Sequence, residues 1–168
     1  LAYAGFHCLM PARADVQTAL EQAWSPDQNA LAMLSVRSGF DALLTVLALP
    51  KGSEILLSAI TIGDMVRIIE HHGLVAVPVD LDMTTLKLKS ESLQHSVNPR
   101  SRALLVAHLF GSRLDMSHYA AFARQHDLLL LEDCAQTFTG DDYRGHNESD
   151  VSLFSFGTIK TATAMGGA

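Results

Sequence analysis

Short apolar runs that do not alternate constrain this chain most. Leu128 to Leu131 is four consecutive leucines, and Ala103 to Ala107 reads Ala-Leu-Leu-Val-Ala; both runs stop abruptly at polar residues. A strand with one wet face alternates apolar and polar side chains, so uninterrupted runs of this length are strands covered on both faces. Strands of that kind belong to mostly parallel sheets with helices on either side. The expected fold is therefore α/β, a three-layer α/β/α arrangement around a mostly parallel sheet.

The rest of the chain alternates in step with that expectation. Pro11 to Trp24 reads as a helix with Asp15 near its start, ended by the polar stretch Ser25 to Asn29. Leu31 to Val36 is a strand candidate that leads through Arg37-Ser38-Gly39-Phe40-Asp41 into a helix over Ala42 to Leu49, closed by Pro50 and Gly52. Glu54 to Ser58 reads as strand, Thr61 to His72 as helix with Gly73 as its stop, and Leu74 to Val79 as strand. Ser90 to Val97 reads as a helix before the Asn98-Pro99 breaker. Asp115 to His126 is a further helix with Asp115 as N-cap, and Val151 to Phe156 is a last buried strand before the Gly157-Thr158 turn. Residues 1–30 form an N-terminal helical segment, and residues 31–168 a single larger domain.

Composition narrows the function. A 48% hydrophobic and 18% charged composition is that of a globular soluble protein. The net charge of −6 and the lack of any Lys/Arg cluster argue against nucleic-acid binding. Cys8 and Cys134 are too few and too far apart for a metal quartet, and a reduced, cytoplasmic setting fits them best. No run reaches the length of a membrane span, and no basic leader precedes Leu1 to Met10. The chain opens on Leu and stops on Gly-Gly-Ala, so both ends read as cut.

In a parallel α/β sheet the ligand crevice lies beyond the carboxyl ends of the strands, and the polar clusters fall there. Ser38-Gly39-Phe40 opens a helix after a strand, a position where backbone N–H groups and the helix dipole favour a phosphate; Ser38 as a simple N-cap is the competing reading. Asp133 follows a strand too apolar for a stray charge, so it faces the crevice or pairs with a cation, and Gln136 lies one turn on. His108, just after another strand, is either a weak substrate contact or a hydrogen-bonded structural residue. Ser155 and Lys160 close the set, although a lysine just past a strand is by itself most often solvated.

Taken together these parts outline a site for pyridoxal 5'-phosphate. A lysine amine must condense with the aldehyde, a carboxylate must keep the pyridine nitrogen protonated, and hydroxyls with backbone amides must hold the phosphate. No metal is implied.

Five segments then resemble one family in order and spacing. They are Ser38-Gly39-Phe40-Asp41-Ala42-Leu43, Pro78-Val79-Asp80, His108-Leu109-Phe110-Gly111, Glu132-Asp133-Cys134-Ala135-Gln136, and Phe154-Ser155-Phe156 through Lys160 to Gly166-Gly167-Ala168. The chain from about Leu31 onward looks like the DegT/DnrJ/EryC1/StrS family, fold-type I aminotransferases that act mainly on nucleotide-linked keto-sugars. The resemblance implies Lys160 as covalent anchor and proton shuttle, Asp133 as partner of the pyridinium nitrogen, and Gln136 on the phenolic side of the ring. It implies Ser155 with Ser38, Gly39 and Phe40 on the phosphate, the last two through backbone amides.

It also implies an amino-acid donor, usually glutamate, a keto-sugar nucleotide acceptor, and a homodimer when full length. A further strand and a small domain would follow Ala168, so this piece alone is expected to bind cofactor poorly. The chain departs from the family pattern at Ile62, where a flat residue commonly stacks on the ring, and at Phe40, Ser149 and Gly157. Lysine at 160 argues against the sugar dehydratase branch. The competing functions are another fold-type I activity, such as a lyase or desulfurase, or a non-catalytic binding or regulatory member of the fold.

Overall fold

The computed structural model describes residues 12–27, 29–160, 162–163 and 165–168. They fall into two compact units, one ending at Met33 and the other running from Leu34 to Ala168. In the first unit, helix α1 (Arg13–Trp24) is tied to the chain that follows it through Glu21, whose Oε1 accepts from Gln17 Nε2 at 2.8 Å and from the Ala32 N–H at 2.9 Å. Pro11, the expected start of this helix, lies outside the described residues.

The second unit is built on one sheet. Strands β1 (Glu54–Ser58), β2 (Val75–Val79), β3 (Ser101–Ala107), β4 (Leu129–Asp133) and β5 (Val151–Leu153) lie in the order β2-β1-β3-β4-β5, and every pairing is parallel. The central strands are those that read as unbroken apolar runs, and β1 is buried along its whole length. Edge strand β2 is half exposed and carries Pro78, whose missing N–H an edge position tolerates.

Strand side chains divide by parity into two cores. Leu56, Leu104, Val106 and Leu130 pack with Leu93 of α4 (Ser90–Ser96) and with Tyr119, Phe122 and Ala123 of α5 (Ser117–Gln125). Ile55, Leu57, Leu105 and Leu131 pack on the other face with Phe40 and Leu44 of α2 (Val36–Leu47) and with Met65 and Ile69 of α3 (Gly63–His71). This is the three-layer α/β/α fold expected from the apolar runs. Among the described residues no helix is long and apolar enough to cross a membrane.

Three expectations need correction. Leu31 to Val36 is not a strand: the sheet's edges are β2 and β5, and α2 already begins at Val36. The cause is local, because Ser35 caps the helix and Ser38 completes a reciprocal capping box, fixing the start one turn earlier than the Ser-Gly pair suggests. Asp115 does not cap α5. It lies one residue before the N-cap, Met116, and its Oδ1 accepts the Ser117 N–H at 3.0 Å. The last strand stops at Leu153, three residues short of Phe156.

Candidate active site

Strands β3, β4 and β5 end side by side, and the site residues lie on the segments leaving them. β4 ends on two carboxylates, Glu132 and Asp133, which strand parity sends to opposite faces of the sheet. Their surroundings differ completely.

Glu132 is fully buried and saturated. Its Oε1 accepts from His108 Nε2 at 2.6 Å and from the Tyr143 hydroxyl, and its Oε2 accepts from the His146 N–H at 2.8 Å and from the Ser149 and Ser152 hydroxyls, each at 3.0 Å. His108 Nδ1 accepts the Leu114 N–H at 3.0 Å, so the ring proton sits on Nε2, where Glu132 takes it. Burial works to raise the Glu132 pKa; the donors, His108 foremost, outweigh it and hold the carboxyl well below its ordinary range. The neighbouring Cys134 thiol and Tyr143 hydroxyl are both pushed up, first by burial and then by the Glu132 charge.

Asp133 is the unsaturated member of the pair. Its Oδ1 accepts the Ala135 N–H at 3.0 Å, and among the described residues its carboxylate takes no second hydrogen bond and no direct ion pair. Burial raises its pKa, opposed by that N–H and by the charge of Lys160. A carboxylate so placed favours a cationic N–H partner.

Beyond the strand ends lies a cleft of about 440 Å³, bounded by Phe110, Gly111, Ala135, Gln136, Phe138, Ser155, Ile159 and Lys160. Lys160 sits on a loop closed at its base by paired backbone bonds, Phe156 N–H to Gly167 O at 3.0 Å and Gly166 N–H to Phe156 O at 3.1 Å. The Lys160 N–H turns back onto Gly157 O at 3.0 Å. Gln136 Oε1 accepts the Phe110 N–H at 2.9 Å, and among the described residues its Nε2 makes no hydrogen bond.

The structure thus brings Gln136, Ser155 and Lys160 together, with Asp133 close enough for its charge to be felt. Ser38, Gly39, Phe40 and Ile62 do not line this cleft. The Ser38 hydroxyl accepts the Ser35 N–H at 3.0 Å and donates to Ser35 O at 2.9 Å, and the Gly39 N–H donates to Ser35 O at 3.0 Å. The Gly39 amide expected at the phosphate is engaged in the helix ladder in this structure, and the Phe40 ring is fully buried in the core. Ile62 is the N-cap of α3 and is 53% exposed.

Of the two readings of His108, the geometry matches the hydrogen-bonded structural one: the ring is buried, with both nitrogens engaged in the Glu132 network. That network was not anticipated. Its signal lay in the sequence, since the argument that a four-leucine strand tolerates no stray charge applies to Glu132 as much as to Asp133.

Two other clusters carry no comparable chemistry. His108, Glu132 and Cys134 place potential metal-ligand atoms within 4.8 Å of one another, but the His108 nitrogen in question bears a proton and the thiol is held protonated by burial. A depression of about 340 Å³ beside Arg37, Asp64, Arg67 and His71 is lined by charges already paired, Asp64 with Arg37 at 3.4 Å and with Arg67 at 2.9 Å.

Fold and cleft together define a class: a parallel α/β/α domain presenting at its strand ends an amine, a hydroxyl, a carboxamide and a half-buried carboxylate that among the described residues pairs directly with no cation. The family model of the DegT/DnrJ/EryC1/StrS aminotransferase family matches residues 15–168, and the chain belongs to that family. Solved structures agree in fold. The aminotransferase TlmJ from Streptoalloteichus hindustanus superposes with a TM-score of 0.78 at 21% identity, over 90% of this chain and 43% of that one. For 3-amino-5-hydroxybenzoic acid synthase the values are 0.76 and 27%, over 89% and 40%. For the sugar aminotransferase CalS13 from Micromonospora echinospora they are 0.75 and 26%, over 95% and 45%. The chain therefore spans less than half the length of these relatives.

Proposed function

We propose that this chain is the cofactor-binding part of a pyridoxal phosphate-dependent aminotransferase that moves an amino group from an amino acid, glutamate foremost, to a nucleotide-linked keto-sugar. The observation that carries this reading is the half-buried Asp133, with a single hydrogen bond among the described residues, at the end of the same sheet as the Lys160 cleft. The residues present fit the cofactor. Asp133 would hold the protonated pyridine nitrogen, which would relieve the burial of its own charge. The free Nε2 of Gln136 would donate to the phenolic oxygen, the Ser155 hydroxyl would donate to the phosphate, and Lys160 Nζ would be the covalent anchor.

When bound, pyridoxal phosphate supplies the electron sink that lets a substrate Cα–H ionise. The chain's part is to hold and move protons around it: Lys160 Nζ takes the proton at the substrate Cα, and Asp133 keeps the ring nitrogen protonated meanwhile. Ile62, exposed at the start of α3, would cover the ring with an aliphatic side chain, without aromatic stacking. Further phosphate contacts from the start of α2 would require the Ser35–Ser38 capping box to open. A nucleotide-sugar acceptor and a homodimeric full-length assembly are proposed from the family resemblance, and a cytoplasmic setting from the sparse, widely separated cysteines.

Titration of pyridoxal phosphate into the full-length protein tests the reading. A near-visible absorption band from lysine-bound cofactor should form, shift on adding glutamate, and be lost in Lys160→Ala. A wild-type protein without that band, or a Lys160→Ala variant that keeps it, overturns the assignment.

A further inference from the structure

Phe110 adopts a backbone conformation that phenylalanine ordinarily avoids. Its φ of 54° and ψ of 35° are left-handed, and Gly111 follows with φ 79°. In that region a Cβ crowds the following carbonyl, so a bulky residue stays there only where its surroundings hold it. Leu109 on one side is buried, the Ser112 hydroxyl donates back to Leu109 O at 2.7 Å, and the Phe110 N–H is held by Gln136 Oε1 at 2.9 Å. The ring held this way enters no core. It is 71% exposed and forms a wall of the cleft that Lys160 and Ser155 also line, and among the described residues it stacks on no other ring.

Resting on the aminotransferase reading above, we propose that Phe110 is a specificity-determining residue, the aromatic platform for the C–H face of the keto-sugar's ring. Strained, exposed residues mark sites where conformation serves binding, and the strain here is maintained by a residue of the cofactor site itself. The chemistry selects the acceptor over the donor. A hexose ring presents a face of polarised C–H bonds that suits the electron-rich face of phenylalanine, whereas glutamate has no ring and two carboxylates that this face repels. Gln136 would couple the two ligands, holding the cofactor with its nitrogen and the platform with its oxygen.

The test follows the two half-reactions of the full-length holoenzyme by cofactor absorbance. Glutamate and the other standard amino acids are the donors, and a panel of nucleotide-linked 3-keto and 4-keto hexoses the acceptors, in wild type, Phe110→Ala and Phe110→Tyr. In Phe110→Ala the keto-sugar KM should rise about three- to tenfold, well beyond any change in the donor KM, and Phe110→Tyr should restore it. An unchanged keto-sugar KM, or equal changes in both KM values with weakened cofactor binding, overturns the platform while leaving the aminotransferase reading standing. A wild-type protein that responds to no donor or no keto-sugar overturns that reading, and the platform with it.

Discussion

Glu132→Gln changes one oxygen to nitrogen at the centre of the buried network, and its cost follows from the geometry. The wild-type carboxylate accepts five hydrogen bonds, two on Oε1 and three on Oε2. A carboxamide has one accepting oxygen and one NH2. With its oxygen toward His108 and Tyr143, the NH2 meets the fixed backbone N–H of His146. In the opposite orientation the NH2 meets His108 Nε2–H, and that proton has nowhere to go because Nδ1 already accepts the Leu114 N–H.

Either orientation leaves one buried donor facing another, about 1–3 kcal/mol, and weakens the remaining charge-assisted bonds, for a total of about 3–5 kcal/mol. Tyr143→Phe removes one donor of the five and should cost about 1–2 kcal/mol. Urea unfolding of both variants in the full-length protein, compared at equal m-values, gives the two numbers. A Glu132→Gln cost below about 1 kcal/mol, or below that of Tyr143→Phe, would refute the saturated network.

The pH dependence adds a sign. Glu132 has its pKa lowered on folding, so its stabilisation is complete above the unfolded value near about 4.3 and is lost only as pH falls through the lower folded value. The gap between wild type and Glu132→Gln should be flat from neutral pH to about pH 5 and close only in stronger acid.

Two further outcomes follow from the same region. A Cβ at Gly145, with φ 98°, would lie 2.0 Å from Ser152 Oγ, whereas one at Gly140, with φ 92°, meets nothing within 4 Å. Thermal unfolding should therefore show Gly145→Ala less stable than Gly140→Ala by about 1–3 kcal/mol, the overpacking difference at similar backbone strain. Asp133 has the opposite sign to Glu132: its pKa is raised by burial, so its favourable contribution is present in acid and lost as pH rises. Cofactor-free Asp133→Asn, whose Oδ1 keeps the Ala135 N–H, should gain stability over wild type as pH rises from about 4 to 7, while pyridoxal phosphate titrations show weaker binding; an advantage that shrinks over that range would contradict the unpaired carboxylate.

Sequence carried the layers of this fold well because buried parallel strands leave an unambiguous trace. The runs at Ala103 and Leu128 announced β3 and β4, and asking what lies past such strand ends pointed to Gln136, Ser155 and Lys160, which share one cleft. The failures have a common origin in hydrogen bonds that no pattern displays. Leu31 to Val36 is as apolar as a strand, yet the Ser35–Ser38 exchange starts a helix there. His108 stayed open between a weak substrate contact and a structural residue because its partners, Leu114 and Glu132, are six and twenty-four positions away. The Glu132 donors are scattered over residues 108 to 152 and come together only when the β4–β5 connection folds back.

The four leucines that begin the story are chemically identical, so hydrophobic burial alone cannot tell one alignment of that segment from the next. A shift of a single position would exchange the two carboxylates between faces, putting Asp133 where Glu132 meets its donors and removing Glu132 from them. The information that forbids this comes from polar latches on either side of the run: Leu130 N–H to Asp150 Oδ2 at 2.7 Å, Asp150 N–H to Leu130 O at 2.9 Å, and the donors gathered on Glu132. Glu132 and Asp150 thus act as an address for their neighbour. They line no part of the cleft, yet they fix which acid each face of the sheet receives.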